Sequence, residues 1–185
     1  KQVKAAEIFN RGFTTYTSGD GQYVFDTDHP LVNGATISNR PTSGTDLNET
    51  ALENATIAIA AWVDERGLLI AAKPQKLVIP PALMFTAKRI LHSEGRVETA
   101  DNDLNALKAM GTIPGGWSVN HYFTDTNAWF LKTDVPNGFK NFERVSLKTG
   151  SDVDFDTGNM RYKARARYSF GVSDPLGYYG SPGSS

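Results

Sequence analysis

Cysteine is absent from the 185 residues. That excludes disulfides, thiolate zinc sites and a cysteine nucleophile. An excess of charge of either sign is lacking too: 19 Lys and Arg stand against 20 Asp and Glu, for a net charge of −1. Bulk attraction to nucleic acid or an anionic membrane is not expected from that balance, so any such contact must rest on local charge. Long apolar runs are missing. The longest stretch, 55–63, falls far short of the roughly 20 residues that span a bilayer. Catalytic signatures are missing as well. His29, His92 and His121 are scattered, with no His-Glu-x-x-His helix. Gly111, Gly115 and Gly116 lack the Lys-Ser or Lys-Thr of a phosphate loop, and no Gly-x-Ser-x-Gly elbow occurs. His92, Ser93 and Glu94 are neighbours, but sequence adjacency is not a triad. Asp152, Asp154 and Asp156 copy the start of an EF-hand loop. Thr157, however, stands at its glycine position and Lys163 where its bidentate glutamate belongs. No catalytic residue, metal ligand or cofactor site is assigned.

What is present is alternation. Over Met160–Val172, Met160, Tyr162, Ala164, Ala166, Tyr168, Phe170 and Val172 fall on one face and Arg161, Lys163, Arg165, Arg167 and Ser169 on the other. Period two is the signature of a strand, here about 40 Å long. One face can bury. The other carries four cations that must meet water, acids or a polyanion. The acids at Asp152, Asp154 and Asp156 also alternate and can pair with Arg161 or Lys163 of the same or another subunit. These seven charged residues are the candidate subunit-interface residues. The aromatics lie opposite the cations, whereas a single-strand nucleic-acid platform needs both on one surface.

Taken in order, 1–13 reads as a helix tail stopped by Gly12. The chain opens at Lys1 without Met and without an N-cap, the expectation for a piece of a longer protein whose N-terminal part is missing. Glycines and prolines break up 14–45, with short extended pieces at 22–25 and 35–37; so long a loop is expected to lie against a partner. The next helix is expected over 46–65, with Asp46 as cap, Glu49 at the capping-box spacing and Gly67 closing it. A buried strand follows at 76–79. Then come helices at 81–91, opened by prolines, and at 101–110, capped by Asp101 and closed by Gly111. Trp117 to Phe123 and Ala128 to Lys132 read as a β-hairpin, with His121 on its apolar side. A strand at 142–147 and an acidic turn at 152–158 precede the long strand. The tail, 177–185, is expected to be loosely held.

Several motifs together resemble the major capsid proteins of tailed bacteriophages, in the branch with Mu-like head subunits. They are Asp28-His29-Pro30-Leu31, Ser38-Asn39-Arg40-Pro41, Asp64-Glu65-Arg66-Gly67, Leu77-Val78-Ile79-Pro80-Pro81-Ala82-Leu83, Thr99-Ala100-Asp101-Asn102-Asp103, Thr126-Asn127-Ala128-Trp129-Phe130-Leu131, Phe155-Asp156-Thr157-Gly158 with Arg161 to Tyr168, and Gly177-Tyr178-Tyr179-Gly180. Their order extends over nearly the whole chain. The resemblance implies an α+β, HK97-like capsid fold. In it, 1–44 would hold the end of a spine helix in a peripheral domain, 45–140 a compact α/β axial domain, and 141–185 returning long peripheral strands. The family's N-terminal arm and extended loop would precede this region.

The resemblance further implies a structural subunit of an icosahedral head around double-stranded DNA. Its partners would be copies of itself in hexamers and pentamers, with scaffold, protease and portal proteins and no membrane. It would be assembled in the host cytoplasm and found in the virion. The alternative is an enzyme or small-ligand domain with a site near Pro80, Asp101 and His121, which requires a pocket with convergent polar groups.

Overall fold

The computed structural model describes residues 1–96 and 103–184. Its centre is a sheet of four strands in the order β4-β3-β5-β8. β3 (Pro74–Ile79) is parallel to β4 (Trp117–Val119) and antiparallel to β5 (Trp129–Thr133); β5 pairs antiparallel with β8 (Tyr178–Ser181). Alternation along these strands feeds two cores. Leu77, Ile79, Trp129, Leu131 and Tyr179 point to one, shared with Leu52, Ala55, Ile59, Ala87 and Ile90 of the helices α2 (Glu49–Ala60) and α3 (Met84–His92). Val78, Phe130 and Tyr178 point to the other, which also holds Ile8, Phe9, Phe13, Val24, Phe25 and Phe123. A strand buried on both faces reads as a continuous apolar run, which is why 77–79 is legible in the sequence.

Helix α1 (Gln2–Arg11) closes the second core and ends at Gly12. A Cβ at Gly12 would meet the Ile8 carbonyl at 2.6 Å and the Phe25 ring at 2.8 Å, so only glycine lets the loop pass this closely. Two strands form a separate ribbon: β6 (Phe139–Val153) pairs antiparallel with β7 (Met160–Val172). α1 lies along the inner part of the ribbon. Its Phe9 ring is 4.9 Å from Phe139, and Lys1 sits over the Tyr168 ring and binds Glu143. That ammonium holds the Glu143 carboxyl below the usual range.

Several expectations are corrected. α2 is capped by Asn48, whose Oδ1 accepts the Ala51 N–H at 2.7 Å, and not by Asp46. The Asp46 carboxylate is taken by the Ser184 N–H and hydroxyl, at 2.9 and 2.6 Å. α2 stops at Ala60, and Gly67 serves a turn built on Asp64, whose Oδ1 accepts the N–H groups of Arg66 and Leu68. α4 is only Ala106–Met110, capped by Asn105 and closed by left-handed Gly111; Asp101, the expected cap, lies outside the described residues. β4 and β5 form no hairpin, because β3 lies between them.

The loop 14–45 does not wait for a partner. It carries only the two-residue strands β1 (His29–Pro30) and β2 (Thr36–Ile37), yet buries Val24, Phe25, His29, Ile37 and Asn39 in this chain. The core also captures its carbonyls: the Trp62 indole donates to Ser38 O and that of Trp129 to Thr45 O, both at 2.8 Å. Nor is the tail loose, since Tyr179, Gly180 and Ser181 are buried in β8. Glycine in this tail marks close backbone approach: a Cβ at Gly177 would lie 2.5 Å from the Gly138 Cα.

Candidate assembly surface

The ribbon is the surface the sequence singled out, and pairing defines its two faces. Residues directly opposite in an antiparallel pair share a face. Arg161 is opposite Asp152, Lys163 opposite Gly150, Arg165 opposite Lys148 and Arg167 opposite Val145. The expected basic face therefore exists, with Lys148 added to it. Two register shifts in β6, between Glu143 and Val145 and between Val145 and Lys148, explain why its own sequence does not alternate.

The candidate residues divide in two. The Arg161 guanidinium donates to Asp154 Oδ2 at 2.5 Å, the Thr157 hydroxyl donates to the same oxygen at 2.9 Å, and Asp152 lies across from Arg161. This closes the ribbon's end turn within one chain. Asp156 is exposed in that turn and joins no ion pair among the described residues. Lys163, Arg165 and Arg167 are exposed and likewise form none.

The opposite face buries only at its root, where Phe170 and Val172 pack into the second core. Beyond Tyr168 it stays in solvent: Tyr162 is 79% exposed and Met160 58%. At the ribbon's end Phe155 is 97% exposed. A two-stranded ribbon standing free is marginal by itself, and its exposed apolar side chains make it a candidate contact surface.

At the ribbon's root lies a cleft of about 610 Å³. The segments entering and leaving the ribbon supply Asp134, Val135, Pro136, Ser173, Asp174 and Leu176, and the loops add Ser18, Asp20, His29, Asp64 and Glu65. Each carboxylate is positioned by the backbone or a histidine. Asp134 accepts the Lys73 N–H, Glu65 that of Val32 and Asp174 that of Leu176. Asp20 accepts from His29 Nδ1 at 2.5 Å. Buried Ser18 Oγ has no partner among the described residues. Asp64, Glu65, Asp134 and Asp174 form no ion pair there either, and no group of three or more acids and histidines among them could hold a metal. These acids come from four distant segments with no local spacing, so sequence reading misses the cleft.

Burial, then the neighbouring Glu65, pushes the Asp174 carboxyl above its ordinary range. A raised carboxyl pKa means that the folded chain binds the proton more tightly than the unfolded chain. Ionised Asp174 therefore costs stability at neutral pH, and the cost is relieved as pH falls through the folded-state value. Asp174→Asn keeps the oxygen that accepts from Leu176. It is expected to raise Tm at pH 7 by about 1–2 °C, a small shift because solvent screens a half-buried group. The gain should shrink in a melt series run down to pH 4; a gain that grows on acidification contradicts the assignment.

Of the enzyme alternative's residues, Pro80 is buried, His121 is exposed in the turn after β4, and Asp101 is outside the described residues. The cleft at the ribbon's root is lined by none of them.

Fold and surface define an α+β chain with a long, exposed strand ribbon. Residues 5–181 match the phage capsid protein family, and the chain belongs to that family. Membership of that family makes it a phage capsid protein by class. The match does not resolve the Mu-like branch. No curated protein matches the chain. Among solved structures it is similar to the virus-like particle from Pyrococcus furiosus, with 12% identity, a TM-score of 0.47, and coverage of 81% of this chain and 58% of that one. It is also similar to the capsid of an empty GTA particle, with 18% identity, a TM-score of 0.42, and coverage of 93% and 59%. The chain thus spans less than two thirds of either neighbour's length.

Proposed function

We propose that this chain builds the icosahedral head shell of a tailed bacteriophage around double-stranded DNA, through hexamers and pentamers of itself, on an HK97-like plan. In this reading α1 and the ribbon form the peripheral part, and the four-stranded sheet with α2, α3 and α4 forms the axial part. The pairing of β8 with β5 supports counting this tail strand with the axial part, and not with the peripheral 141–185 that the sequence suggests. Scaffold, protease and portal proteins are further partners, and assembly takes place in the host cytoplasm.

One observation carries the reading: the ribbon leaves both faces open, one with uncompensated cations and one with exposed Tyr162 and Met160. Shell contacts between repeated subunits are heterologous, one patch meeting a different patch on the neighbour. Electron microscopy of the purified chain is expected to show closed shells or capsomer rings; a monomer at all concentrations, with scaffold supplied, argues against it.

The interface role of Arg161, Lys163, Arg165, Arg167, Asp152, Asp154 and Asp156 is part of this proposal. Arg165→Glu with Arg167→Glu is expected to lower particle yield about tenfold or more, because like charges brought face to face across a contact cost several kcal/mol. It should leave Tm unchanged or slightly raised, because the carboxylate introduced at position 165 would face Lys148, where like charges now repel. Sedimentation and thermal melts read the two effects separately. Equal loss of Tm and yield would make the arginines folding residues.

A further inference from the structure

Two surfaces of this chain carry charged side chains outside any ion pair among the described residues, and they have opposite sign. On the ribbon, Arg165 and Lys148 are directly opposite, with Lys163 and Arg167 beside them, and none is in an ion pair among the described residues. Like charges facing each other across strands oppose ribbon formation, so an anion that settles between them relieves a cost the fold otherwise bears. At the root, Asp64, Glu65, Asp134 and Asp174 surround the cleft without a Lys or Arg among them. Its lining includes the unpartnered Ser18 hydroxyl. A cleft ringed by these carboxylates fits an ammonium or guanidinium group, which binds carboxylates through charge-assisted hydrogen bonds.

The two surfaces cannot meet within one chain. Arg167 is six residues before Ser173, the cleft residue that follows β7. At strand rise that places it about 20 Å from its own root, and Arg161 about 40 Å. A hydrogen-bonded ribbon does not fold back over that distance. Resting on the shell reading above, we infer that the basic ribbon face of one copy docks in the acidic root cleft of the next. The contact is heterologous and head to tail, and such a contact closes into a ring when its rotation allows. Charge complementarity sets the register of the ribbon, while its exposed apolar face remains free for a further contact. Packaged DNA is the competing anion for the arginines, but it leaves the acidic cleft unmatched.

Because the chain has no cysteine, two can be introduced cleanly. Glu65→Cys and Arg165→Cys are placed together on the full chain, mixed with an equal amount of wild-type chain so that assembly does not hinge on the substitutions. Purified particles are then treated with a short bis-maleimide. Cross-linked chain pairs and higher multimers are expected from the double variant, and monomers only from either single variant. Particles that form without cross-links, while both cysteines react with a monofunctional maleimide, overturn the cleft contact and leave the shell reading standing. A ribbon cysteine that reacts only after nuclease treatment assigns that face to DNA and overturns it as well. Wild-type chain that makes no particle under any condition removes the shell reading and this inference together.

Discussion

Asn39→Ala is expected to destabilise the protein by about 3–5 kcal/mol, a drop in Tm of about 10 °C, although it removes only a small side chain. Asn39 is fully buried. Its Nδ2 donates to Val24 O at 2.7 Å and to Pro175 O at 2.9 Å, and its Oδ1 accepts the Asp26 N–H at 2.9 Å. His29 Nε2 lies 3.2 Å from the same oxygen, and the Asn39 carbonyl accepts the Gly180 N–H. Asn39 thus ties the loop around 24–29 to the segment after β7 through its side chain, and to β8 through its backbone carbonyl. Truncation leaves the Val24 carbonyl and the Asp26 N–H without partners and takes one of two donors from Pro175 O, which keeps the Tyr178 N–H; buried groups cost more unpaired than they contribute paired. Asn39→Asp separates hydrogen bonding from volume: a carboxylate has the same shape but cannot donate to two carbonyls, so it should be at least as damaging. Chemical denaturation of both variants reads the effect. A loss under about 1 kcal/mol for the alanine would mean that water or relaxed backbone replaces these bonds.

Asn39 also shows where sequence reading reaches its limit. Nothing in Ser38-Asn39-Arg40-Pro41 announces a buried hub, because its partners lie at Val24 and Pro175, far off along the chain. The segment around it has no periodicity, and periodicity is the strongest local signal. Where periodicity exists the sequence is far more legible. It places the long strand at Met160–Val172 with both faces assigned, and 76–79 and 81–91 read as strand and helix close to their true bounds. β6 is visible only at 142–147 because its two register shifts flip the alternation partway along. Asp46 and Asn48 are both good caps by residue type; the choice falls to Asn48 because a distant residue, Ser184, claims Asp46. The tail misleads for a related reason. Glycines that read as looseness are there because β8 runs against rings and backbone that tolerate no Cβ.

That same tight fit makes Phe130→Ala the second large effect, at about 3–5 kcal/mol. Phe130 is buried on β5, the strand held between β3 and β8. Its ring centroid is 4.9 Å from Phe9, 5.0 Å from Phe25, 5.2 Å from Phe123 and 5.8 Å from Phe13. Two of these, Phe9 and Phe13, carry α1 and the residues just after it, so the cavity opens under the helix that lies on the ribbon. Hydrogen exchange should show α1 losing protection more than α2, which packs on the other face of the sheet. Opposite Phe130 is Gly180, where a Cβ would come within 2.8 Å of the Phe130 ring and 2.9 Å of the Phe25 ring. Gly180→Ala alone is therefore expected to be destabilising through overpacking. In the Phe130→Ala background it should cost less, since one of the two rings it strikes is gone, leaving a coupling of about 0.5–3 kcal/mol in a double-mutant cycle. Strict additivity would show that the sheet relaxes around the cavity. The ring at 130 would then be filler, and α1 would be held on the body by its own contacts with Phe139 and Tyr178.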